Sequence, residues 1–335
     1  MQFTTIFRVL GMLLLLFSLS MLPPAIVASY YQDGGGAEFL LSFAITFITG
    51  FLVWYRFRHY RYTLKTRDGF LIVILIWAIL SLFGAIPLYI SHHPHNSFTN
   101  AMFESVAGLT TTGATVIHGL DTLPHAILFY RQELQFLGGM GIIVLAVAVL
   151  PMLGLGGMQL YRAEIPGPMK DNKITPRIAA TAKNLWVIYL SLTVLCCACY
   201  WLGGMSLFDA ICESFSTIST GGFSPHDANF AYHHSSSLEI IAIIFMLLGG
   251  TNFTLHFMAL KQRNINYYWH SLEFRVYIFI MLVTTVITVI MLTLHHQYHH
   301  FSTILVKSLF TVVSLSTTTA FSTANYSAWP TFIPT

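Results

Sequence analysis

Phe103-Glu-Ser-Val-Ala-Gly-Leu-Thr-Thr-Thr-Gly-Ala-Thr115, Cys212-Glu-Ser-Phe-Ser-Thr-Ile-Ser-Thr-Gly-Gly-Phe-Ser224 and Phe310-Thr-Val-Val-Ser-Leu-Ser-Thr-Thr-Thr-Ala-Phe-Ser322 are three copies of one short pattern. In each, a mainly apolar stretch leads into a cluster of Thr, Ser and Gly. Aligned without gaps, Gly113, Gly222 and Ala320 share a column, 109 and 98 residues apart. A repeat near one hundred residues sets an architecture of similar units. The pattern reads as an ion-selectivity filter used repeatedly.

Composition excludes a soluble globule. Of the 335 residues 55% are hydrophobic and 9% charged, against about 25% charged in soluble domains, and the mean hydropathy is +0.68. The net charge is +3, and its placement says more than its size. Thirteen of the sixteen Lys and Arg residues lie in Arg56 to Arg67, Arg162 to Lys183 and Lys261 to Arg275, whereas 91–123 and 204–238 hold none. The positive-inside rule makes the three basic segments cytoplasmic.

Seven apolar runs approach the roughly 20 residues needed to cross a bilayer: 6–30, 38–55, 70–91, 124–153, 185–203, 238–260 and 275–294. With Arg8 and the N-terminus inside, the basic segments fall inside after the second, fourth and sixth runs. That parity holds only if residues 98–109, 207–218 and 303–316 enter and return without crossing. At 12 to 14 residues they suit re-entrant half-helices. Non-helical backbone at membrane depth survives only where it lines a protein-enclosed or water-filled path, so three such dips imply one. The first run begins like a secretory signal, with Leu13 to Leu16 after a basic residue. It continues past Pro23 and Pro24 to Tyr31 without a small-x-small cleavage site, and is read as a retained anchor.

The candidate ion-binding residues are Thr111, Thr112 and Gly113, then Thr220, Gly221 and Gly222, then Thr318, Thr319 and Ala320. A dehydrated potassium ion needs oxygens in place of its water, and backbone carbonyls supply them when successive peptides point the same way. Glycine enters the required positive-φ regions without a Cβ penalty, and a preceding Thr adds a hydroxyl. A half-helix ending at each cluster directs its negative C-terminal end toward a cation. Small-residue clusters also occur at ordinary helix contacts in membranes. Three copies with matched upstream segments, spacing and sidedness favour a pore.

The chain resembles the membrane subunit of bacterial Trk potassium uptake systems, the TrkH/TrkG type of the Trk/Ktr/HKT superfamily. The resemblance runs over essentially the whole chain and is densest at Phe98 to Gly119, Leu123 to Gln132, Phe136 to Ala148 and Gly157 to Lys173. It implies an all-α polytopic protein of helix–pore loop–helix units around a pseudo-fourfold cation pore, preceded by two extra helices. About two and a half of four units are then present. Residues 1–69 hold the two N-terminal helices and a basic loop, 70–184 the first unit, 185–274 the second and 275–335 an incomplete third. The resemblance further implies a multi-pass protein of the bacterial inner membrane, a homodimer and a cytosolic ring of nucleotide-binding regulatory subunits. Potassium is the substrate; no cofactor, enzymatic activity or nucleic-acid partner is expected.

Other motifs read more plainly. Gly249-Gly-Thr-Asn-Phe253 looks like a filter but has no half-helix before it, and is assigned to close packing or a kink. Cys196, Cys197 and Cys199 lie in mid-helix and are read as packing residues, since a metal site there would need thiolates in lipid. Cys212 sits in a half-helix, so the four form no spaced disulfide framework. His295, His296, His299 and His300 form a solvated, pH-sensitive cluster or a zinc site. Gly138-Gly-Met-Gly141 and Gly154-Leu-Gly-Gly157 follow no strand, which favours helix packing and a helix end over a nucleotide loop. Arg131 and Glu133, near the outer start of the fourth run, either snorkel to the interface or brace the first filter. A membrane hydrolase would need paired catalytic groups in the bilayer, and a secondary carrier would have inverted repeats; three copies of one orientation fit neither.

Two departures from the family pattern bear on activity. The chain stops at Thr335, 15 residues after Ala320, leading to the expectation of a C-terminally truncated transporter short of roughly 100 to 150 residues by its repeat. Such a chain conducts only if the remainder is supplied; the alternative is a non-conducting fragment associating with a complete relative. The second departure is Ala320, where the family's third filter has glycine. Left-handed backbone at a non-glycine costs about 1–2 kcal/mol, loosening selectivity. In a complete protein Ala320→Gly is therefore expected to raise the potassium-over-sodium permeability ratio by up to about tenfold; equal ratios contradict it.

Overall fold

Lipid offers backbone N–H and C=O groups no partner, so long apolar segments satisfy themselves as helices. The computed structural model describes residues 3–60, 66–141, 178–325 and 328–329, and among these every regular element is helical. Five helices are long and apolar enough to cross a membrane: Phe3–Tyr31, Gly36–Phe57, Leu71–Ile90, Lys183–Leu202 and Leu272–Leu294. The first holds a 3-10 turn at Leu19–Met21. Pro23 and Pro24 sit at the opening of its second part, Leu22–Tyr31, where their missing N–H groups cost little.

Three short helices lie where half-helices were expected: Phe98–Leu109, Leu207–Ser219 and Phe301–Ser316. The first two are started by serines: Ser97 Oγ accepts from Asn100 N at 3.2 Å and Ser206 Oγ from Asp209 N at 3.0 Å, satisfying N–H groups that a helix start leaves open. The third begins at His300 without a side-chain cap.

The sixth run, read as one span over 238–260, is broken. Ser236–Gly249 and Phe253–Gln262 are bent by 91°. A Cβ on Gly249 would lie 2.9 Å from the carbonyl oxygen of Ile218, and one on Gly250 2.8 Å from the Tyr277 hydroxyl, so both glycines allow close approach. Asn252 then caps the new helix by accepting from Thr254 N at 3.0 Å. His256 Nε2 reaches back to the Leu248 carbonyl at 2.9 Å, which also accepts from Thr251 N at 3.2 Å, and so ties the new helix to the end of the first. The filter look-alike is thus a kink.

The chain divides into two compact units: Met1–Thr110 with Thr115–Trp186, and Thr111–Ala114 with Val187–Thr335. In the first, the helices Phe3–Ser18 and Gly36–Phe57 cross through glycines. A Cβ on Gly11 would lie 2.6 Å from Trp54 N, and one on Gly50 3.0 Å from Leu14 Cβ. Without a hydrophobic drive between helices in lipid, such close van der Waals contact is what associates them. Two buried hydroxyls fasten the half-helix Phe98–Leu109 and its returning helix to Thr66–Ile90: Ser105 Oγ donates to the Ser81 carbonyl at 2.8 Å and Tyr130 to the Gly84 carbonyl at 3.0 Å. The fourth run is His125–Phe136 followed by a π turn, Leu137–Gly141. Its remainder, with Gly154 to Gly157 and much of the second basic segment, lies outside the described residues.

Gly11→Val should lower the thermal midpoint of the detergent-solubilised protein by the equivalent of about 1–3 kcal/mol, the usual cost of overpacking. Ile48→Ala, on the exposed face of the same pair, should change it by less than about 0.5 kcal/mol. Equal effects would show that the glycine crossing does not set this contact.

Candidate ion pathway

The three Thr/Gly clusters follow directly on the C-termini of the three half-helices. Residues 111–114 belong to the second compact unit, together with 220–222 and 318–320. Each cluster carries the same backbone alternation. Thr111 and Gly113 have φ of 53° and 72°, Thr220 and Gly222 of 52° and 80°, Thr318 and Ala320 of 62° and 58°. The residue between each pair, Thr112, Gly221 or Thr319, is not left-handed. Alternation of this kind turns successive carbonyls toward one side of the chain, the arrangement a carbonyl-lined filter requires.

The sequence led us to expect positive φ at the glycine column, and Gly113, Gly222 and Ala320 have it. It gave no reason to expect the same of Thr111, Thr220 and Thr318. Left-handed backbone is a genuine outlier for a β-branched residue, at about 1–3 kcal/mol each, and such strain gathers at functional sites. Hydrogen bonds hold the distorted chain. Thr220 N donates to the Thr217 carbonyl at 3.2 Å, Gly221 N to that of Ser216 at 2.8 Å and Ala320 N to that of Ser314 at 3.1 Å. Thr317 and Thr319 share a hydroxyl hydrogen bond of 2.8 Å.

The clusters also touch one another. A Cβ on Gly113 would overlap the carbonyl oxygen of Gly221, and one on Gly222 that of Thr319. Glycine is needed at these two positions for conformation and for space. Asn229, not singled out in the sequence, fastens two clusters together. Its Nδ2 donates to the Gly222 carbonyl at 3.2 Å and its Oδ1 accepts from Ser322 N at 3.1 Å. Its own left-handed φ of 54° is one that Asn tolerates.

Side chains brace the chain that leaves each of two clusters. Glu104, fully buried in the first half-helix, accepts from the Thr115 hydroxyl, from Val116 N at 2.7 Å and from Ile117 N at 3.2 Å. Arg131 Nε donates to its other oxygen at 3.3 Å, and Arg131 Nη2 to Thr115 Oγ1 at 3.0 Å. Of the two readings of Arg131, bracing is therefore the one observed; at 1% exposure it does not snorkel. At the third copy Lys307 pairs with Glu239 at 2.6 Å and donates to the Thr323 carbonyl at 3.1 Å. A lone lysine in an apolar half-helix was the signal that would have found it.

Each returning helix presents a glycine to the end of its half-helix. A Cβ on Gly138 would overlap the Leu109 carbonyl, as one on Gly249 would crowd that of Ile218. Asp209, in the first turn of the second half-helix and outside the spanning helices, is raised by burial. Hydrogen bonds from His226 and Ser206, with the nearby histidine charge, more than offset this and hold its carboxyl below the usual carboxylate range. Among the described residues no group of three or more His, Cys, Asp or Glu side chains is arranged to hold a metal ion, the outer histidines included.

The sequence profile of TrkH, cation transport protein, matches residues 35–335. The chain belongs to the TrkH family. The Trk system potassium uptake protein TrkH of Vibrio parahaemolyticus is 53% identical over 336 residues, covering all of this chain and 69% of that protein. TrkG of Escherichia coli K12, also named a Trk system potassium uptake protein, is 42% identical over 327 residues, covering 96% and 66%. The crystal structure of the potassium transporter TrkH from Vibrio parahaemolyticus matches with a TM-score of 0.89 at 48% identity, over 100% of this chain and 68% of that one. The TrkH-type fold and the multi-pass membrane character are thereby established.

Arg131→Ala should destabilise the protein by about 3–5 kcal/mol, the cost of leaving a buried charge without its partner. Pairing it with Glu104→Gln should recover part of that loss, since the uncompensated carboxylate is then gone. Thermal unfolding of both variants in detergent decides; a double variant no more stable than the single one contradicts the pairing.

Proposed function

We propose that residues 111–113, 220–222 and 318–320 form the selectivity filter of a potassium uptake pathway, with the potassium ion as cargo. The observation that carries this reading is the left-handed alternation repeated at all three clusters, with glycines that let the carbonyls of neighbouring clusters abut. Carbonyl oxygens take the place of the ion's hydration shell, and the C-terminal ends of three half-helices favour a cation where those carbonyls gather. Relatives about half identical over the whole chain bear the name potassium uptake protein. The family transports ions and is not a family of enzymes.

In this reading residues 70–184, 185–274 and 275–335 act as repeat units behind an N-terminal pair at 1–69. The basic segments support an N-terminus in the cytoplasm, and the bacterial relatives support a bacterial inner membrane location. The name Trk system supports work alongside other Trk components. A homodimer and a cytosolic nucleotide-binding regulatory ring rest on the family resemblance.

Gly222→Ala tests the filter. Its Cβ would displace the Thr319 carbonyl, so in a complete protein rubidium uptake into proteoliposomes should lose its preference over sodium by about tenfold or more, equivalent to about 1.4 kcal/mol. Unchanged discrimination in a folded, inserted variant rejects these residues as the filter.

A further inference from the structure

Glu104 and Glu213 occupy one column of the repeat, nine residues before Gly113 and Gly222. Both are fully buried. Each receives the hydroxyl of the residue two places after its filter, Thr115 in the first copy and Ser224, at 2.7 Å, in the second. Behind Glu104 stands the fixed charge of Arg131. Behind Glu213 stands His233, whose Nε2 lies 3.8 Å from Glu213 Oε1, with the two side chains 6% and 0% exposed. The third copy has Thr311 in this column and so no carboxylate to oppose.

His233 Nε2 and Glu213 Oε2 are both buried without a hydrogen-bond partner among the described residues. Buried polar atoms of this kind call for an explanation. A carboxylate at that depth is costly unless a charge opposes it, and histidine supplies charge only when protonated. The titratable groups facing His233 are Glu213 and Asp209 from the second half-helix, His226 from the loop leaving the filter and Tyr232 on its own turn. The Phe230 ring closes an apolar side at 5.4 Å. His226 is engaged elsewhere, 3.2 Å from Asp209 and stacked on Tyr232 at 3.5 Å. Glu213 is thus left to His233.

We propose that His233 is the positioning residue of the second filter, filling as an imidazolium the place that Arg131 fills at the first. Through Glu213 it holds Ser224, and with Ser224 the chain leaving Gly222. It does so only while protonated, which makes the second filter the protonation-dependent one. The inference rests on reading residues 220–222 as a filter.

The experiment measures rubidium against sodium uptake into proteoliposomes by a complete protein carrying these residues, with equal pH on both faces, from about pH 5 to pH 8. The parent protein should lose selectivity several-fold as the pH rises. His233→Arg should keep the low-pH selectivity throughout, and His233→Gln should be poorly selective throughout. Parallel pH profiles for the parent and His233→Arg, or an unaltered profile in His233→Gln, overturn the proposal. Hydrogen exchange at the Ser224 and His226 amides, corrected for intrinsic base catalysis, supplies a readout independent of conduction and of whether His233→Arg folds. Protection should fall over the same range in the parent and stay flat in His233→Gln; a parent profile without that fall also overturns the proposal. Failure of the filter reading would show separately, as unchanged selectivity in Gly222→Ala while the exchange response at Ser224 persists.

Discussion

Backbone that stops being helical inside a membrane must find partners for its own polar groups, and the rest of this structure follows from how that demand is met. The three clusters alternate left-handed residues with ordinary ones, a pattern that tends to turn successive carbonyls to one side. Oxygens so exposed are tolerable only where they line a wet or protein-enclosed path. The same oxygens, focused by the ends of the half-helices, are what a dehydrated cation needs. On the proposed function, folding constraint and ion binding are one requirement.

Strain of this kind persists only where surrounding structure over-determines it. Three layers of support are visible. Hydrogen bonds within each half-helix end hold the first turn of the filter. Glycines at 113 and 222 leave room for the neighbouring carbonyls. Ion pairs then anchor the departing chain, the fully buried Arg131 with Glu104 in one copy and the partly buried Lys307 with Glu239 in another. Burying such pairs is weak as a source of stability, since desolvation offsets most of the attraction. Their value lies in fixing geometry next to the filters.

Much of this was legible in the sequence. Half-helix Phe98–Leu109 carries the bounds read from residues 98–109, and Leu207–Ser219 differs from the expected 207–218 by one residue. Their short apolar length and their place before each cluster mark them. The glycine column was found because a repeat makes even a weak pattern visible. Less legible was the run 238–260, whose hydropathy is continuous across the break; only Gly249, Gly250 and the Asn252 cap carry the bend, and the same residues also resemble a filter. The left-handed threonines were hidden because threonine's own preference argues against that conformation. Asn229 and His233 were hidden for another reason: they act on filters through contacts that spacing along the chain does not encode.

On the proposed function the ion is held by the backbone at 111–113, 220–222 and 318–320. Crystals or grids prepared with rubidium in place of potassium, and read by anomalous scattering or difference density, test it most directly. Density is expected within coordination reach of those carbonyls, and it should disappear when sodium replaces rubidium. Rubidium held elsewhere in the protein, with these carbonyls bare, would contradict it.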